Sequence, residues 1–178
     1  NTELSSQFMT HLSTSVYLAL LLASPFILIE LFRFITPALY DNERKYSARI
    51  TCTIFLLFIT GVLMSYFVIF PFSIRFLGTY QVSEDVVNMI NLSSYISTFT
   101  ALTFMMGIVF QIPVISFFLA KMGILEAEFM AKYRRHALII IMILAAIITP
   151  PDIFTLVLVT IPMYALYELS ILIVKRIN

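Results

Sequence analysis

Few side chains in this sequence could do chemistry, and most of those lie inside or beside long apolar runs. Glu30 and Arg33 stand three apart, on one face of a helix. Gln111 sits near the middle of an apolar segment, two residues before Pro113. Asp152 follows Pro150 and Pro151, Glu168 lies about two turns inside Lys175, and Thr149 and Thr155 flank the same proline turn. Polar groups are costly in lipid, so each needs a reason to be there. Glu30–Arg33 reads as an i, i+3 pair anchoring an interface. Gln111 bonds a carbonyl freed by Pro113, pins a neighbouring helix, or gives a partner helix a polar foothold. Asp152 reads as the N-cap or first-turn acid of the last helix. For Glu168 three roles stay open: snorkelling, a bond across the terminal hairpin, or contact with a partner.

Catalysis has little to work with. His11 and His136 lack a partner motif, and there is no G-x-S-x-G, H-E-x-x-H or phosphate loop. With only four glycines a glycine-rich phosphate cradle is nearly excluded. The expectation is a protein that is not an enzyme, carries no cofactor or metal, binds no nucleic acid, and draws energy for any work from outside the chain. The lone Cys52 excludes an intrachain disulfide.

The elements that position these residues follow from composition. The chain is 61% hydrophobic and 12% charged, with a mean hydropathy of +0.99. Five apolar segments are legible: Phe8–Ile35, Ile50–Ile74, Ser93–Ala120, Ala137–Ile148 and Ile153–Val174. In a bilayer each must be helical to satisfy its own backbone. The fold class is therefore all-α, a polytopic membrane protein, with residues 1–178 forming one integral membrane domain. Ala137–Ile148 is short, and Glu168 cuts the last segment to Ile153–Tyr167, so a short C-terminal hairpin is expected around the turn Thr149-Pro150-Pro151-Asp152. Pro25, Pro71, Pro113 and Pro162 should bend their helices into a concave bundle. Leu125–His136, acidic early and basic late, predicts a short interfacial helix.

Ten of the eleven Lys and Arg fall on alternate connections: Arg33 to Arg49, Lys121 to Arg135, and the C-terminus. The positive-inside rule puts these in the cytoplasm. That orientation leaves the N-terminus outside with no signal peptide or basic n-region to deliver it. The expectation is that these are five of six spans, with an earlier helix absent.

The ordered set "SPFILIELFRFITPALYDNERKY", "FQIPV", "KMGI", "KYRRHA", "TPPDIF" and "IPMYALYE" resembles the TatC subunit of the twin-arginine protein translocase, over essentially the whole chain. The resemblance implies a receptor for twin-arginine signal peptides in a bacterial cytoplasmic membrane. It would work with single-span TatA- and TatB-type partners, as one of several copies, to move folded proteins using the proton-motive force. The family's glutamate in P-A-L-x-x-x-E-R falls on Glu43, so Glu43, Arg44 and Lys45, with Phe34 and Pro37, are the implied signal-peptide site. A carboxylate suits paired guanidinium groups because the two bond in a bidentate fork. The sequence departs from the family pattern at Gln111, where a glutamate is frequent, and at Thr155-Leu156, where Ser-Gln is frequent. The polar partner cluster is left chiefly with Thr149 and Thr155. A small-solute transporter is the alternative, though no internal repeat supports it.

Overall fold

A computed structural model describes residues 6–35, 43–79 and 92–177, with side chains described at 8–34, 49–79 and 93–177. All elements among them are helical. α1 is Ser6–Ile35 and α2 is Glu43–Met64; a π-helical turn at Ser65–Ile69 carries α2 without a break into α3, Phe70–Thr79. α4 is Leu92–Val109, α5 is Ile112–Lys121, α6 is Ala127–Lys132, α7 is Arg134–Ile148 and α8 is Ile153–Lys175. Four stretches are long and apolar enough to cross a membrane: Phe8–Phe34, Arg49–Thr79, Ser93–Lys121 and Ile153–Lys175. α7 is the fifth apolar helix, but its 15 residues reach only about 22 Å at 1.5 Å per residue, against a hydrocarbon core of about 30 Å. The interfacial helix expected within Leu125–His136 is α6.

One expectation about the hairpin needs correction. Glu168 does not shorten the last helix: α8 runs for 23 residues straight through it. A carboxylate ends an apolar span only when it has no partner, and Glu168 has two, described below. Only α7 is short.

The four prolines do not act alike. Pro25 and Pro162 lie inside helices that stay α-wound. Pro71 follows the π turn, where the Phe70 N–H reaches back five residues to the Ser65 carbonyl. A proline ring clashes with the carbonyl four residues earlier, here Phe67, and the wider π winding relieves that clash. Pro113 coincides with a true break. The winding stops at Val109, the Gln111 N–H bonds the Ile108 carbonyl at 2.9 Å, and a fresh helix starts at Ile112. Pro113 occupies its first turn, where a missing N–H costs nothing.

Because lipid tails are as apolar as leucine, helix pairing here depends on close packing more than on water release. Three apolar clusters do this. The largest joins the π turn, α4, α7 and α8 around Ile69, Leu102, Met106, Ala145, Val159 and Met163. A second sets Phe32 of α1 and Phe118 of α5 ring on ring, centroids 5.2 Å apart, beside Ile54 and Val114. The third seats Met130 of α6 between α5 and α8. α2 and α4 approach each other closely through two glycines. A Cβ on Gly61 would lie 2.6 Å from the Met106 carbonyl oxygen, and one on Gly107 would lie 2.5 Å from the Phe58 ring. Many large apolar side chains stay exposed, Leu22 and Ile147 among them, as a lipid-facing surface requires. Gly123 closes α5: its φ of 71° suits glycine, and the Ile124 N–H then reaches the Leu119 carbonyl at 2.9 Å.

Candidate receptor surface and polar contacts

α1 ends and α2 begins at one end of the bundle. Glu30 and Arg33 form the i, i+3 pair read from sequence, Nη1 to Oε1 at 3.0 Å, with both side chains well exposed. Phe34, in the last turn of α1, is 85% exposed. Such exposure leaves an aromatic face open to lipid or to a ligand. Glu43 is the first residue of α2, followed by Arg44 and Lys45 in its first turn. A carboxylate at that position complements the helix dipole. The side chains of these three lie outside the described residues, as does Pro37 altogether.

The other polar residues singled out from sequence fall at three separate places. Gln111 is buried, at 1% exposure. Its Nε2 donates to the Ile54 carbonyl of α2 at 3.2 Å and lies 3.5 Å from the Gly107 carbonyl. The carbonyl that Pro113 frees is that of Val109, so of the two intramolecular roles the amide takes the one that pins a neighbouring helix. Oε1 is buried without a partner. An inward-facing amide supports its own chain first. Gln111→Leu is expected to lower thermal stability in detergent by about 1 kcal/mol, the usual scale for such bonds between membrane helices, while partner co-purification per folded molecule stays at the wild-type level. Reduced co-purification with unchanged stability would reinstate the foothold role.

Thr149, Asp152 and Thr155 come together at the α7–α8 turn. Asp152 caps α8, its Oδ1 accepting the Thr155 N–H at 2.6 Å, as its place after two prolines suggested. The Thr149 hydroxyl donates back to the Ala145 carbonyl at 2.9 Å, the same oxygen that accepts the Thr149 N–H at the end of α7. The Thr155 hydroxyl and Asp152 Oδ2 are buried without partners.

Glu168 sits at the opposite end of α8, thirteen residues on, or about 20 Å along the helix. It takes the cross-hairpin role. Arg134 Nε lies 2.8 Å from Oε1, an Arg134 terminal nitrogen donates to Oε2 at 3.0 Å, and the Tyr164 hydroxyl donates to Oε1 at 3.0 Å. One turn along, the Tyr167 hydroxyl donates to the Met130 carbonyl at 2.8 Å, tying α8 to α6. Arg134 and the two tyrosines are the residues that sequence reasoning missed. The available signals were the motifs K-Y-R-R-H and I-P-M-Y-A-L-Y-E, and neither hints at a partner 34 residues away. The pair is half open to solvent, so its net worth is modest, about 0–1 kcal/mol. Arg134→Gln and Glu168→Gln should each lower stability by that amount, and the double variant by no more than the larger single loss. Additive losses in thermal unfolding would show that the pair is not energetically coupled.

A family model described as Sec-independent protein translocase protein (TatC) matches residues 1–162. A TatC protein of Blattabacterium sp. subsp. Periplaneta americana is 42% identical over 171 residues, covering 96% of this chain and 64% of that protein. One from Carboxydothermus hydrogenoformans is 39% identical over 180 residues, covering 99% of this chain and 72% of that protein. The chain thus spans less than two thirds of the first relative and somewhat more of the second. A crystal structure described as the twin arginine translocase receptor TatC superposes with a TM-score of 0.87 at 31% identity, covering 99% of this chain and 78% of that one. These matches disfavour the small-solute transporter. By sequence and by fold, the chain belongs to the TatC family of Sec-independent protein translocase proteins.

Proposed function

We propose that this chain is a receptor and core subunit of the twin-arginine translocase. It binds twin-arginine signal peptides at the surface where Phe34 ends α1 and Glu43 heads α2, and it organises single-span TatA- and TatB-type partners around its helices. The observation that carries this reading is the match in fold to the TatC receptor structure, with Glu43 in the P-A-L-x-x-x-E-R frame of the family. A helix N-terminus adds a partial positive charge that keeps a carboxylate ionised, and an ionised carboxylate is what a pair of guanidinium groups binds best. Arg44 and Lys45 hold this end on the cytoplasmic side, together with the basic residues of the third connection and the C-terminus. In this reading the chain carries out no covalent chemistry. It recognises, holds and assembles, while the proton-motive force across a bacterial cytoplasmic membrane supplies the work. Several copies then act within one receptor complex.

The deciding experiment is site-specific crosslinking from Phe34 and Asn42 to a signal peptide with paired arginines, in membranes carrying the complete translocase. Crosslinks that disappear when the arginine pair is changed to glutamine support the reading. Crosslinks indifferent to that change, or none from either position, would overturn it.

A further inference from the structure

One cleft is not absorbed by the receptor reading. It lies between α2, α5 and α8 and has a volume of about 420 Å³. Its residues are sorted by depth. Arg49, Lys121 and Arg176 line one end, where the Arg49–Thr79, Ser93–Lys121 and Ile153–Lys175 spans start or finish. Leu57, Val114 and Phe117 line the rest. Along their helices Leu57 lies about 12 Å from Arg49, and Val114 about 10 Å from Lys121, both toward the membrane interior. No acidic side chain is among the described residues lining it.

We propose that this cleft binds one anionic phospholipid of the leaflet at that end, its phosphate against Arg49, Lys121 and Arg176 and an acyl chain along Leu57, Val114 and Phe117. Basic pockets between membrane helices at an interface suit anionic headgroups, and the apolar depth has the order a phospholipid requires. A free phosphate would leave that depth unfilled. A twin-arginine peptide would meet the like charges of Arg49 and Arg176 at the entrance. The proposal rests on the chain spanning a bilayer and not on its being a receptor.

The test uses the purified chain in detergent, titrated with phosphatidylglycerol or phosphatidylcholine. Bound lipid is counted by native mass spectrometry and stabilisation is read by thermal unfolding. Wild type should retain one phosphatidylglycerol in preference to phosphatidylcholine. At about 1 kcal/mol per basic residue near a membrane surface, Arg49→Gln/Lys121→Gln/Arg176→Gln should weaken it on the order of a hundredfold. Arg75→Gln, at the other end of the bundle, should leave it unchanged. Leu57→Trp keeps the charges and obstructs the cleft, and should also abolish retention. Should the triple variant fail to fold, Leu57→Trp decides alone. Equal retention of the two lipids, unchanged binding in Leu57→Trp, displacement of the lipid by millimolar inorganic phosphate, or its displacement by a twin-arginine peptide would each overturn the proposal.

Discussion

Glu43→Lys is expected to abolish crosslinking of a twin-arginine signal peptide, with a loss of at least about a hundredfold in docking affinity. A charge-assisted hydrogen bond to a carboxylate contributes about 1.5–3 kcal/mol, and the new ammonium adds repulsion where the attraction was. Glu43→Gln keeps an acceptor and loses only the charge, so its loss should be smaller, about tenfold, within the same range of charge-assisted bonds. Folding should be little affected by either. Glu43 stands at the first position of α2, and a charge of the wrong sign at a helix start costs only about 0.3–1 kcal/mol. Quantitative crosslinking and the yield of folded, membrane-inserted protein should be measured on the same samples. Wild-type crosslinking by the Lys variant would remove Glu43 from the binding surface. Failure of the variant to fold would instead make the connection before α2 a structural turn.

Gly61→Ala should be the most destabilising single-methyl change in the described part of the chain. The added carbon would lie 2.6 Å from the backbone oxygen of Met106 and 2.9 Å from the Phe110 ring. A flexible side-chain tip could move aside, whereas a helix carbonyl cannot without shifting α4 bodily. Overpacking of this kind costs about 1–3 kcal/mol, with Gly61→Val at or beyond the upper end. Gly107→Ala meets the Phe58 side chain instead of backbone, but that ring is fully buried and has little room to move, so its cost should be only slightly smaller. Thermal unfolding in detergent orders the three variants. A Gly61→Ala protein as stable as wild type would mean that α2 and α4 are held loosely and that the two glycines do not set their spacing.

What the sequence made legible divides along a physical line. Interactions between near neighbours could be read. Asp152 as a cap needs only Thr155, three residues on, and Glu30–Arg33 needs only one helical turn. That the apolar runs are helical was equally plain, because lipid permits no other structure for them. Contacts between distant parts of the chain could not be read. Glu168 looked like an interruption because its cost in lipid was visible and its partner Arg134 was not. Gln111 looked costly for the same reason, with its acceptor on Ile54 lying 57 residues earlier. Gly61 and Gly107 gave no periodic signal of facing helices. Glu43 belongs to neither kind: only the family resemblance singled it out, since two acids, Asp41 and Glu43, among bases in a short connection are chemically ordinary.

The π turn before Pro71 fixes an angular offset in the rod from Glu43 to Thr79. It holds about one residue more than the α winding it replaces, and one residue is about 100° of rotation. Every side chain of α3 is therefore turned by that angle from where an unbroken α-helix would point it. The turned position is the one that buries Phe70 and Ser73 and stacks the Phe76 ring on Phe154 of α8, centroids 4.5 Å apart. Uniform winding through Ser65–Ile69 would leave α2 seated on α4 and swing the far end of the same rod off α8. One helix thus meshes with two neighbours like a shaft cut with two sets of teeth, and the π turn sets the phase between them.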